Sequence, residues 1–143
     1  RGPVGGVYLV DDYAHHPTEV RAVVDSARQR FPGQRLVMIL QPHTFSRLAQ
    51  HFGAFADALR LADLRFVLPV YASRETGDPV AAAGELARAA GASLLPPVAQ
   101  ALRPLLERIA PGDVVLNLGA GDAQGLTDQL ASALGTEDDD ETA

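Results

Sequence analysis

Residues 11–17 read "DDYAHHP": two carboxylates, a phenol and two imidazoles placed side by side. Carboxylates accept hydrogen bonds from hydroxyl groups or hold Mg²⁺, and imidazoles gain and lose protons near neutral pH. A second cluster, "QPHTFSR" at residues 41–47, adds His43 and Arg47; a guanidinium binds carboxylates through two parallel hydrogen bonds. The plain alternative for the first cluster is a polar surface turn. Neighbouring side chains on a strand point to opposite sides, so only one of Asp11 and Asp12 is expected to face a site. His15, His16 and His43 are poor zinc ligands as a set. Adjacent histidines rarely converge, and neither a cysteine nor a third carboxylate stands at ligand spacing. No metal site is expected.

The rest of the composition narrows the chemistry. The chain has 143 residues, 47% of them apolar, enough for one domain with a real core. It contains no cysteine, which excludes disulfides and thiolate chemistry and suits a cytoplasmic protein. All 12 basic residues are arginine, so a Walker lysine and a Schiff base are excluded. The net charge of −6 comes largely from "TEDDDETA", residues 136–143, which reads as a disordered acidic tail beyond a domain at 1–135. The remainder is close to neutral, and the basic field of a nucleic-acid binder is absent. No apolar run reaches the ~18 residues of a membrane span, and the start, "RGPVGG", is unlike a signal peptide.

Five strand–helix units must position the clusters. "GVYLVDD", "RLVMIL", "RFVLPVY", "ASLLPP" and "DVVLNL" are short apolar runs with strand composition. Between and after them, apolar residues recur at helical spacing. Val20, Val23, Val24, Ala27 and Phe31 form one stripe; Phe45, Leu48, Phe52, Phe55 and Leu59 form another, in a single helix over 44–62. Pro104 should kink the fifth helix, and Leu126, Leu130 and Leu134 line the last. The pattern predicts an α/β, three-layer, Rossmann-like domain: a mainly parallel five-stranded sheet with helices on both faces. Such sheets bind ligands at the carboxyl ends of their strands, where the polar clusters fall.

The cap of helix one falls on His16 rather than on a preferred capping type. Either its first amides stay free for an anion, or the cap is simply weak. "GAGDAQG" does not match a dinucleotide fingerprint and follows the last strand; Gly119 and Gly121 suit a tight turn, with Asp122 capping the last helix. Arg74 and Glu75 read as surface charges, and His51 as an ordinary helix residue. A phospho-receiver module shares the alternating pattern. It would need an aspartate after strand three and a lysine after strand five, and neither is present.

"DDYAHHPTEV", followed by "QPHTFSR" and later by "GAGD", resembles the C-terminal domain of the Mur ligases over nearly the whole chain except the tail. Related ligases share the D-Y-A-H core with a different second loop; the branch acting on murein tripeptide is the nearest alternative. The resemblance implies a domain of an ATP- and Mg²⁺-dependent ligase of peptidoglycan precursor synthesis, joining L-alanine to UDP-N-acetylmuramate through an acyl phosphate. It implies a lid that is inactive without an N-terminal and a central domain, the central one holding the P-loop and most contacts to the metal. It implies an antiparallel strand before the five parallel ones, with "RGPVGG" as its remnant, and strand one beside strand five. It assigns Asp12 to the nucleotide. Tyr13, His15, His43 and Arg47 fall to the amino-acid and phosphate region, with His15 and His43 catalytic. Where some relatives have arginine, this chain has Thr44.

Overall fold

A computed structural model describes residues 3–119 and 121–142, with side-chain surroundings through Gly135. The elements are β1 (Tyr8–Asp12), α1 (Pro17–Arg30), β2 (Leu36–Leu40), α2 (Phe45–Gln50), α3 (Phe52–Leu59) and β3 (Leu64–Val67). They continue with α4 (Pro79–Ala90), β4 (Ser93–Leu94), α5 (Val98–Leu106), β5 (Val114–Leu118) and α6 (Gln124–Thr142). The sheet is parallel throughout, in the order β1-β5-β2-β3-β4. This is the expected α/β architecture with strand one beside strand five.

Alternation along the strands sorts the core into two halves. Leu36, Met38 and Leu40 of β2, with Val114, Leu116 and Leu118 of β5, pack on one face against α1, α3 and α4. Val37, Ile39, Val115 and Leu9 pack on the other, against Ala101 and Leu105 of α5 and Leu126, Leu130 and Leu134 of α6. β2 and β5 are buried along their whole length. Each fully buried Leu or Val contributes roughly 1.5–3 kcal/mol relative to exposure. The same alternation continues into the site. Tyr8 and Val10 lie against the α1 side and Leu9 faces α6, so Asp11 is directed to the α6 side and Asp12 to the α1 side.

The amino end of the sheet is closed by charge. Arg35 donates to both oxygens of the buried Asp113, at 2.9 and 2.7 Å, and Asp113 accepts a further bond from the Ala110 amide at 2.9 Å. Before β1, Val4 and Val7 exchange antiparallel hydrogen bonds across Gly5 and Gly6, whose φ values of 57° and 77° suit a type I′ turn. The expected antiparallel remnant is therefore this two-residue hairpin.

Several expected boundaries move. The helix predicted over 44–62 is two helices, broken at His51 with φ −120° and ψ 23°. Both pieces keep the same apolar stripe, which is why periodicity alone joined them. β3 stops at Val67, before Pro69, which lacks an amide to continue the ladder. Pro104 lies inside α5, which ends two residues later, short of the expected 98–110. The acidic stretch expected as a disordered tail continues α6, which runs to Thr142. Among the described residues no helix is long and apolar enough to cross a membrane.

Candidate functional site

The carboxyl ends of β1, β2 and β5 lie side by side, since β5 pairs with both of the others. The loops after them therefore meet at one edge. After β1, the Asp12 carboxylate accepts from the Ala14 amide at 2.8 Å. This tight turn exposes Tyr13, whose hydroxyl donates to Gln124 of α6 at 3.3 Å. A cavity of about 320 Å³ opens there, lined by Asp11, Asp12, Tyr13, Asn117, Gln124 and Asp128. Asn117 is 4% exposed. Its amide nitrogen donates to Asp11, the Ala123 carbonyl and Thr127 at 3.3, 2.9 and 3.0 Å. Thr127 also donates to Asp11. The side-chain carbonyl oxygen of Asn117 is buried with no hydrogen-bond partner among the described residues.

His15 follows on the same turn. Its Nδ1 lies 2.9 Å from the Tyr13 carbonyl, which can only accept. Nδ1 therefore carries the proton, and in the neutral ring Nε2 keeps its lone pair. His43, from the loop after β2, has the opposite arrangement. Its Nδ1 lies 3.1 Å from Arg47 Nη1, and a guanidinium can only donate. In neutral His43 the proton sits on Nε2. Its pKa is held below the ordinary 6.5 by burial first, then by the Arg47 and His15 charges, with Glu75 opposing. The two ring centroids lie 6.4 Å apart, so a ring whose remaining nitrogen can accept and a ring whose remaining nitrogen can donate stand as neighbours.

Local sequence explains how His43 and Arg47 come together. Thr44 has φ 68°, a costly conformation for a β-branched residue. Backbone pairing holds it there: Thr44 donates to the Tyr71 carbonyl at 2.8 Å, and Tyr71 donates to the Pro42 carbonyl at 2.9 Å. The Tyr71 ring stacks on His43 at 5.3 Å. The Thr44 hydroxyl accepts from the Arg47 amide at 3.3 Å and so caps α2. Arg47 is then one turn beyond His43. Of the surface acids, Asp57 pairs with Arg60 at 2.6 Å, while Glu75 accepts from Ser46 and lies close enough for the Arg47 charge to act on it.

Gln41 ties the edge together. It is 4% exposed, its side-chain oxygen accepts from Ala123 at 3.0 Å, and its nitrogen donates to Asp122 and to the Pro69 carbonyl. A methyl group on Gly121 would sit 2.6 Å from the Tyr71 ring and 2.7 Å from Gln41. Glycine is required there by close approach. Among the described residues, no group of three His, Asp or Glu is arranged to hold a metal.

Both readings of the α1 N-terminus fail: it is neither open for an anion nor weakly capped. His16 Nδ1 accepts from the Thr18 amide at 3.1 Å, and Glu19 reaches back to the His16 and His15 amides at 3.1 and 3.4 Å. A neutral imidazole nitrogen does the work of a serine oxygen, and glutamate at the third position completes a capping box. His51 also departs from its reading: it packs edge-on against His16, with ring centroids 4.6 Å apart. Sequence reasoning read Glu75 only as a surface charge and gave no role to Tyr71, Gln41 or Asn117. Gln41 and Asn117 carried a usable signal, being amides at the ends of wholly apolar strands.

Residues 1–121 match the family described as Mur ligase, glutamate ligase domain. The chain belongs to that family. The phospho-receiver alternative is thereby set aside. Among curated proteins, the UDP-N-acetylmuramate–L-alanine ligase of Roseiflexus castenholzii is 44% identical over 97% of this Mur ligase domain. The domain spans 30% of that relative's length. Among solved structures, UDP-N-acetylmuramate-alanine ligase from Thermotoga maritima shares 26% identity, with a TM-score of 0.72, covering 96% of this chain and 29% of that one. A murein peptide ligase from Psychrobacter arcticus has a TM-score of 0.75 at 23% identity, covering 94% of this chain and 29% of that one. The fold is thus shared across several ligases of the family and does not by itself choose a substrate.

Proposed function

We propose that this domain is the lid of a cytoplasmic, ATP- and Mg²⁺-dependent ligase that joins L-alanine to UDP-N-acetylmuramate. The observation that carries the reading is the His43–Arg47 pair standing beside His15 at the carboxyl edge of the sheet. The 44% identity to a ligase of that name supports the choice of L-alanine over murein tripeptide.

Arg47 offers a fork for the carboxylate of the incoming amino acid. His15 Nε2 is placed to accept a proton from its amine, and the Nε2–H of His43 to donate to an oxygen bearing negative charge. The Asp12 carboxylate and the cavity beside Tyr13 fit the hydroxyl groups of a ribose. When bound, ATP supplies the phosphoryl group that activates the muramate carboxylate. The described acids and imidazoles do not converge on a metal, so Mg²⁺ is assigned to the domains outside this chain. The lid's own contribution is alignment and exclusion of water from an activated carboxylate.

The test is phosphate release by the longer ligase that carries this domain. It should require ATP, UDP-N-acetylmuramate and L-alanine together, and the isolated domain should not exceed a no-enzyme control. Release driven by murein tripeptide in place of L-alanine would move the domain to the other branch. ATP turnover by the domain alone would contradict the lid role.

A further inference from the structure

The loop between β3 and α4 supplies none of the residues assigned above, yet it grips the ones that are. Glu75 accepts from the Ser46 amide at 3.0 Å and from the Ser46 hydroxyl. Ser46 lies between the strained Thr44 and Arg47. Tyr71, in the same loop, pairs with Thr44 and stacks on His43. Gly77 lies against the Phe45 ring, where an added methyl group would be only 2.8 Å from ring carbon. The first residues of α2 are thus held by one loop on three successive contacts.

We propose that Glu75 is a positioning residue that holds Arg47 against His43 by clamping the first turn of α2; this rests on the amino-acid role assigned to that pair. A helix start that follows a residue with positive φ relaxes unless something opposes it. α2 has only six residues and no acid in its own first turn. The Glu75 carboxylate supplies the missing acceptor from outside the helix, at the end where negative charge is favoured. Hydrogen bonds from Ser46 keep its pKa below the usual carboxylate value, so the clamp stays ionised at neutral pH. Released, α2 would lose the register that places Arg47 one turn beyond His43, and His43 Nδ1 would lose its donor.

The experiment compares wild type, Glu75→Gln and Glu75→Ala. Ring-nitrogen spectra of His43 and the Ser46 amide are read in this chain, and kinetics in the longer ligase. In Glu75→Ala the Ser46 amide should lose its hydrogen-bonded shift and His43 should become a mixture of tautomers. Glu75→Gln, which keeps one acceptor oxygen, should lie between. A displacement of about 1 Å at a substrate contact costs on the order of 100-fold; the looser turn should raise the KM for L-alanine about tenfold and that for ATP about twofold or less. A lower melting temperature with unchanged His43 spectrum and unchanged KM would overturn the proposal, leaving Glu75 as a structural cap. A changed His43 spectrum with unchanged KM for L-alanine would uphold the clamp and overturn the amino-acid role of the pair. If Glu75→Ala fails to fold, Glu75→Gln decides on the same readouts.

Discussion

Arg47 Nη1 stands 3.1 Å from His43 Nδ1, a contact possible only with that imidazole nitrogen unprotonated. One guanidinium therefore fixes the tautomer of one histidine. The ring that results points its remaining N–H away from Arg47, and a second imidazole, His15, is held in the complementary tautomer by the Tyr13 carbonyl.

The pair predicts how His43 titrates. Burial and Arg47 lower its pKa from 6.5, so the folded chain binds a proton here less readily than the unfolded chain. Stability from this group is complete above about pH 6.5 and is lost as pH falls toward the folded pKa. Arg47→Met removes both the nearby charge and the donor, so the His43 midpoint should rise toward 6.5 in a proton NMR titration. A midpoint that stays or falls would show that Arg47 does not act on the ring.

Asp11 and Asp12 should separate into a structural and a binding role. Asp11 accepts from Asn117 and Thr127 and so joins β1, β5 and α6. Asp11→Ala should cost roughly 1–3 kcal/mol, the cost of leaving buried donors short of an acceptor. Asp12→Ala should change the unfolding midpoint little and raise the KM for ATP in the longer ligase. The reverse pattern, in thermal melts and ATP kinetics, would exchange the two assignments.

Removing residues 136–143 should leave the melting temperature nearly unchanged. The stretch "TEDDDETA" is acidic and without an apolar stripe, a composition that buries little. A large loss of stability on truncation would place part of the fold's core contacts beyond residue 135.

The strands and the edge where they end were legible because each depends on local pattern. The apolar runs of β2 and β5 are buried along their whole length, and "DDYAHH" and "QPHTFSR" fall at strand ends by counting alone. The break at His51 was hidden, since Phe45, Leu48, Phe55 and Leu59 keep helical spacing across it. Glu75 was hidden for a different reason. Its partner Ser46 is 29 residues away, and nothing beside it in the sequence marks an acceptor for another element. The capping role of His16 was misjudged because propensity ranks side chains by type. Here Glu19 and a neutral ring nitrogen together supply the two acceptors a capping box needs. Interactions made across loops, and histidines acting in one protonation state, depend on the tertiary fold.

The most direct measurement is the KM for L-alanine of the longer ligase carrying Arg47→Lys. Lysine keeps the charge and loses the planar fork. Outright loss of a charge-assisted pair is worth roughly 1.5–3 kcal/mol, a factor of about 10–150 at ~1.4 kcal/mol per decade; lysine keeps one charged contact, so KM for L-alanine should rise toward the lower end of that range, about tenfold, while KM for ATP changes far less. An unchanged KM for L-alanine together with a lower melting temperature would contradict the site, and would make Arg47 a structural partner of His43 alone.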